Sequence, residues 1–271
     1  MTTFLFWNLN QKALQESIYR IADVHEVEVI VLAECTVDPA IILTSLNRHG
    51  PDYHYAPSPG CTRIQVFTRF PSEFMPVIVE SDRATMRRLK TPTMSESVII
   101  GALHFPSKTY MNDFDQLGAS PNFVDLVLQA EEQEGHNRTI LMGDFNMNPF
   151  DMGMVYANGF NAVMSRTIAS QRQRTVQGRS YRFFYNPMWG LLGDSSRGPA
   201  GTYFYQPSNF SSIYWHTFDQ VLIRPELLEV FEHQKLEILD FDGEESLVDE
   251  SGKPDKSKTS DHLPLIFELN L

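Results

Sequence analysis

Cysteine is nearly absent. The 271 residues include only Cys35 and Cys61, far apart and in no Cys-x-x-Cys pair. That leaves no zinc–thiolate site and no disulfide framework to read. Long apolar runs are missing too, so nothing reaches the length of a membrane-spanning helix. The apolar patch in "MTTFLFWNLNQK" is too short for a signal peptide and has no cationic region before it. Basic residues are scarce: 22 Lys and Arg stand against 34 Asp and Glu, a formal net charge of -12 with a pI near 5.1. Such a surface repels a phosphate backbone at long range and argues against life on bulk duplex DNA. It leaves room for a nuclease, because a local basic cleft or a bound cation reverses the field where chemistry happens. The expectation is a cytoplasmic, monomeric protein with no membrane association.

What is present is enough apolar residue, 42% of the chain, for a substantial core. Thr3–Trp7 and Val27–Leu32 read as strands, the second apolar throughout, as a strand covered on both faces is. Between them Gln11–His25 places Leu14, Ile18, Ile21 and Ala22 on one helical face. Asp38 followed by Pro39 caps a helix running to Asn47. Residues 53–56, 64–68, 76–80, 86–89 and 97–103 are short strands broken by Pro, Gly and Ser. Phe123–Glu134 reads as a helix, and Thr139–Met142, Phe218–Ile223, Lys235–Leu239 and Pro264–Leu269 as strands. Asn148–Tyr214 has little periodicity, and Asp242–Thr259 is expected to be a flexible loop. With no repeat and no linker, the chain is expected to be a single domain over 1–271. Its strands suggest two packed sheets covered by helices.

Polar residues recur at the strand ends. Trp7 leads into Asn8, "VIVLAE" ends on Glu34, "SVIIGALH" on His104, and "TILMGDFN" on Asp144 and Asn146. Asp219 precedes an apolar strand, and Asp261 and His262 precede the last one. Singly, each has an ordinary explanation: "GDFN" as an Asx-turn or helix cap, His104 as a satisfied histidine, Asp261-His262 as a turn. Together they assemble a phosphoester chemistry. Oxygen donors such as Glu34, Asp144, Asn146 and Asp261 suit a hard ion, Mg²⁺ or Mn²⁺, and not zinc. A histidine with an acid behind it, His262 with Asp219, can donate to a phosphate in a fixed orientation.

The ordered motifs "WNLN", "LAE", "GALH", "GDFN.NP.D", "FDQVLI" and "SDHLP" resemble those of the endonuclease/exonuclease/phosphatase superfamily, the DNase I-like fold. They run from Asn8 to His262. The resemblance implies an α/β fold, a four-layer α/β/β/α sandwich of two packed mixed β-sheets flanked by helices, with the site at one end of the sheets. It implies Glu34 as principal metal ligand, Asn8 binding the metal or holding Glu34, and Asp261 on the metal side. Asp144 would orient or deprotonate the attacking water, and Asn146 would stabilise the phosphate. Asp219 would hold His262, which would bind phosphate in its charged form, while His104 would contact phosphate or assist the leaving group. AP endonucleases carry Tyr where His104 stands and follow the metal Glu with a Lys-containing pattern; Glu34 is followed by Cys35-Thr36-Val37. Inositol-polyphosphate phosphatases carry a "PAWCDR"-like segment that is missing near Asp219. The implied activity is a metal-dependent phosphodiesterase, a nuclease on DNA or RNA, with a small-molecule or lipid-linked phosphoester as the alternative substrate.

Arg166, Arg172, Arg174, Arg179, Arg182 and Arg197 are interleaved with aromatics such as Tyr181, Phe184 and Tyr203. Arg83, Arg87 and Arg88 form a second basic group. Arginine with aromatics can grip phosphates and stack bases, whereas spacing alone is equally compatible with ordinary loop packing. Arg83, Arg179, Arg182 and Tyr203 are the candidate substrate-binding residues.

Overall fold

The computed structural model describes all residues except 51, 110, 195–197 and 209. In chain order its strands and helices are β1 (Thr2–Asn8), α1 (Gln15–Val24), β2 (Val29–Ala33), α2 (Pro39–Leu46), β3 (His54–Tyr55), β4 (Ile64–Thr68), β5 (Val77–Ser81), β6 (Ala84–Leu89), β7 (Val98–His104), α3 (Asp113–Glu134) and β8 (Thr139–Asp144). There follow α4 (Met152–Val155), β9 (Ala162–Val163), α5 (Arg166–Ala169), β10 (Gln173–Val176), β11 (Arg179–Arg182), β12 (Phe184–Tyr185), β13 (Tyr203–Phe204), β14 (Trp215–His216), β15 (Asp219–Ile223), β16 (Glu237–Ile238) and β17 (Leu265–Leu269).

Two mixed sheets result, in the orders β16-β17-β1-β2-β4-β3 and β5-β6-β7-β8-β15-β12-β9. Each has at its centre a parallel pair joined by a crossover helix, β1-α1-β2 in the first and β7-α3-β8 in the second, and the second sheet adds a short parallel pair, β9 with β12, at its edge. Antiparallel strands flank each pair: β17 and β4 in one sheet, β6 and β15 in the other. Side-chain alternation divides the second sheet between two cores. Ile100, Ala102, Ile140, Met142, Val221 and Ile223 join the large core shared with the first sheet. Ile99, Leu103, Leu141 and Leu222 pack instead with Phe123, Val127 and Ala130 of α3. Helices therefore cover the outer side of the sandwich, as the resemblance implied.

The same alternation aims the polar strand ends. His104 keeps step with Ile100 and Ala102, Asp144 with Ile140 and Met142, and Asp219 with Val221 and Ile223. All three thus turn toward the space between the sheets. Gly143 makes room on the opposite face, where a Cβ would lie 2.1 Å from the Leu103 carbonyl oxygen. Gly143→Ala is expected to destabilise the protein by roughly 1–3 kcal/mol, since β7 and β8 must move apart. Chemical denaturation measures this.

Several elements differ from the sequence expectation. The first helix starts four residues late, because Asn10 and Gln11 adopt positive φ (45° and 59°) and turn the chain at the end of β1. The third starts ten residues early and runs through Pro121. Its start is fixed by a capping box, in which Asn112 accepts from Phe114 and Asp115 backbone N–H while Asp115 accepts from Asn112 N–H. Buried Gln116, donating to the Pro106 and Asn146 carbonyls, ties that first turn down. The 148–214 stretch holds short elements, including the ribbon β10–β11 and the pair β13–β14. The 242–259 loop is pinned and not loose. Asp242 is fully buried, bonds Arg20 at 2.5 Å and accepts from the backbone N–H of Glu244 and Glu245. Leu247, also fully buried, plugs the loop into the large core.

Candidate active site

Six chain segments meet at one end of the sandwich. Register alone places two acids and a histidine: His104 is beside Asp144 across β7–β8, and Asp144 is beside Asp219 across β8–β15. From the first sheet, the Asn8 amide crosses the gap and donates to Asp144 Oδ2 at 3.0 Å. His262 arrives on the lead-in to β17. Its backbone is fixed by Ser260 Oγ, which accepts from His262 N–H at 3.1 Å and donates to the Asn8 carbonyl at 2.6 Å. Trp7 Nε1 donates to the His262 carbonyl at 2.9 Å. These side chains surround a cleft of about 610 Å³ lined by Asn8, Glu34, Asp144, Asn146, Tyr203, Asp261 and His262.

His262 Nδ1 lies 2.8 Å from Asp219 Oδ2, and both side chains are buried. Burial by itself would lower the histidine pKa. Asp219 overcomes this by charge and hydrogen bond, with Asp144 and Asp261 adding to it, and pushes the value up to about 10. The ring is therefore an imidazolium at neutral pH, with its Nε2 proton free of protein partners among the described residues. Tyr203 packs against it at 4.8 Å between ring centroids. With a folded value near 10 against an ordinary 6.5, the pair stabilises the fold fully below about pH 6.5. That contribution is lost as pH rises through about 10. In chelator, the wild type is expected to lose a few kcal/mol over that window and an Asp219→Asn variant much less, as urea midpoints would show.

Asp144 is almost fully buried, and burial first, then Asp219, raises its pKa, against the pull of His262 and His104. Its Oδ1 accepts from Asn146 N–H at 2.8 Å, and its Oδ2 from both Asn8 and Asn146 Nδ2 at 3.0 Å. Asn146 reaches this position through a positive φ of 50°. Both its amide hydrogens are engaged, the second by the Phe105 carbonyl at 2.9 Å. The amide expected to meet phosphate is instead a clamp on Asp144.

Glu34 also sits at positive φ (48°), just past the end of β2, a sparsely populated conformation for a residue with a Cβ. Its carboxylate is 3.2 Å from His104 Nε2, and that hydrogen bond is the main influence holding its pKa down. The donor set is a fit for a hard cation. Glu34, Asn8 and Asp261 all offer oxygen, and Asp261 Oδ1 is buried at the cleft with no hydrogen-bond partner. A second group, Asp144, Asp219 and His262, has ligand atoms within 4.8 Å of one another. It would have to give up the 2.8 Å His262–Asp219 bond to hold an ion, so the oxygen set is the better candidate.

The family model for the endonuclease/exonuclease/phosphatase family matches residues 5–262. The chain belongs to this family. Members are phosphoester hydrolases, and this chain is one by that membership. Structures similar over essentially their whole length and this chain's share the fold at low identity. An AP endonuclease from Archaeoglobus fulgidus has a TM-score of 0.56 at 13% identity, covering 100% of both chains. A 3' phosphatase from Neisseria bound to product DNA hairpin has 0.56 at 14%, covering 100% of both. The endonuclease domain of TRAS1, a telomere-specific non-LTR retrotransposon, has 0.55 at 13%, covering 100% of this chain and 99% of that one. No curated protein matches the sequence. No helix among the described residues is long and apolar enough to cross a membrane.

Of the sequence-predicted residues, Asn8, Glu34, His104, Asp144, Asn146, Asp219, Asp261, His262 and Tyr203 converge. The arginines do not. Arg83 is turned to the His104 carbonyl at 3.5 Å and does not line the cleft. Arg182 is bonded to Glu131 at 2.9 Å near the start of β8, the end opposite Asp144, and Arg179 sits on the exposed ribbon beside it. Arg87 is buried, bonding the Met75 and Pro57 carbonyls, and Arg88 pairs with Glu134. Phe183, Phe184 and Tyr185 are core residues, and Arg197 lies outside the described residues. The cleft instead recruits Lys108, Tyr205, His216 and Phe218. Lys108 is tied to Asp113 at 2.9 Å and Asp151 at 2.7 Å. Phe218 had a local signal, standing beside Asp219 in "FDQVLI", and Tyr205 stood among the aromatics interleaved with the loop arginines; nothing in "FPSKTY" marks Lys108.

Proposed function

We propose that this protein is a divalent-metal-dependent phosphodiesterase, a nuclease, acting in a single domain over residues 1–271. The observation that carries the reading is the charged His262, held by buried Asp219, facing a clamped Asp144 across one cleft. His262 Nε2–H donates to a non-bridging oxygen of the scissile phosphate. Asp144, with its basicity raised by burial, orients the attacking water and takes its proton. The new P–O bond forms as the ester P–O bond breaks. His104 keeps Glu34 in place, and Asn146 and Asn8 keep Asp144 in place. Mg²⁺ or Mn²⁺, held by Glu34, Asn8 and Asp261, would neutralise the phosphate and the departing oxygen.

DNA is the substrate favoured by three similar proteins: an AP endonuclease, the endonuclease domain of a retrotransposon and a 3' phosphatase bound to a product DNA hairpin. One observation favours a small phosphoester instead. Lys108 is the one lysine or arginine lining the cleft among the described residues, and it is already ion-paired. A single assay separates the two readings: supercoiled plasmid, linear duplex, single strand, RNA and a panel of nucleotides, sugar phosphates and phospholipids, each with Mg²⁺, Mn²⁺ or EDTA. Metal-dependent polymer cleavage abolished by EDTA is expected. Turnover of a small ester with every polymer left intact would overturn the nuclease reading.

A further inference from the structure

The reaction above makes no use of the segment between Asp151 and Asp194. That segment has no acidic residue and no lysine, but carries Arg166, Arg172, Arg174, Arg179 and Arg182. On a chain of net charge -12 this is a local reversal of sign. Much of it is built into β10–β11, a ribbon that pairs with neither main sheet. Arg174 is opposite Tyr181 and Val176 opposite Arg179, so these four share one face. The turn residues Gln177 and Gly178 both have positive φ (49° and 78°), as a two-residue type I′ connection requires. The ribbon is thus a closed arm with fixed register. Arg172, Arg174 and Arg179 are exposed and make no ion pair among the described residues; the Arg174 guanidinium meets only the Val155 carbonyl, at 3.3 Å.

A groove of about 340 Å³ lies at the base of the arm. It is lined by Arg172, Arg182, Arg224 and the amides of Asn137, Gln171 and Gln173, with Glu226 also on its wall. Arg224, 2% exposed, and Arg182 share one carboxylate, Glu131, at 2.7 and 2.9 Å. Three guanidiniums, of Arg172, Arg182 and Arg224, against the two carboxylates of Glu131 and Glu226 leave an excess of positive charge there. Glu131 bonds Thr139 at the first residue of β8, so the groove is about 17 Å from Asp144 along that strand at the usual strand rise.

We propose that the ribbon and the groove at its base form a second nucleic-acid contact, gripping the phosphate backbone of a long substrate away from the bond being cut. This rests on the nuclease reading. Exposed, unpaired guanidiniums bind phosphate oxygens through paired N–H donors. A polyphosphate is also what the cleft itself receives, which favours nucleic acid over an acidic protein. The contact supplies the attraction that an acidic body and a cleft with one paired lysine do not.

The test is the triple variant Arg172→Gln, Arg174→Gln, Arg179→Gln, which leaves Glu131 both its partners. Binding of long duplex DNA, long RNA and a dinucleotide is followed by fluorescence anisotropy across salt concentrations, with the cation chelated. Affinity for at least one polymer is expected to fall roughly tenfold at low salt, with the salt slope smaller by about one per arginine. The dinucleotide is too short to span both sites and should show no such loss. The DNA and RNA arms identify which polymer the contact serves. No loss on either polymer, or an equal loss on the dinucleotide, would overturn the proposal. If the wild type binds no nucleic acid, the nuclease reading falls with it. Should the triple variant melt early, Arg179→Gln, whose side chain has no protein partner, carries the same test at about one-third of the slope change.

Discussion

The His262→Ala protein is expected to retain its fold and lose about 10³-fold or more in kcat, with metal affinity little changed. The loss follows from charge. The imidazolium is a buried cation at the cleft, and Asp219 holds it charged up to about pH 10. Truncation removes the donor to the phosphate and leaves Asp219 buried without its 2.8 Å partner. A second variant separates the two consequences. His262→Gln keeps a donor but no fixed charge, and should recover stability more than rate. Full activity in His262→Ala would sink the mechanism. Steady-state kinetics with thermal melts decide it.

Asp144→Asn is expected to cost about 10³–10⁴-fold in kcat, through loss of the base that takes the water proton. Here the substitution is nearly isosteric, but the surroundings are built for an acceptor. Three N–H donors, from Asn8 Nδ2, Asn146 Nδ2 and Asn146 backbone, converge on the two oxygens. An amide in their midst turns at least one of these contacts into donor against donor, so a drop of about 1–3 kcal/mol in stability is expected alongside. If Asp144→Asn turns over at the wild-type rate, the base is elsewhere.

Most of the residues that meet at the candidate site were legible because each is the polar end of an apolar run. "VIVLAE" and "TILMGDFN" announce both a buried strand and the acid at its tip, and two-residue alternation then fixes where the tip points. The layered fold followed from the same runs. What could not be read was anything decided by long-range placement. The arginines of 166–182 have the composition of a phosphate track. Sequence spacing does not say at which end of β8 they land, and Arg182 is committed to Glu131, about fifty positions away in the chain. Asn146 was given to the phosphate because its neighbourhood motif suggested it, yet its two hydrogens are consumed by Asp144 and Phe105. The 242–259 loop was expected to be flexible from its composition, but Arg20 in α1 and the backbone N–H groups of Glu244 and Glu245 hold its start through Asp242.

The position of β17 has a consequence for when activity can first exist. This strand does not cap an edge. It lies between β16 and β1, and its lead-in carries Asp261 and His262. A chain synthesised only as far as β15 already holds Glu34, His104 and Asp144, but β1 lacks one of its two neighbours and His262, the proposed phosphate donor, is missing. Assembly of the first sheet and arming of the cleft are thus the same late event. On the function proposed above, such a hydrolase would stay inactive while it is still being made, and proteolytic loss of that one strand would disarm it without touching Glu34, His104 or Asp144.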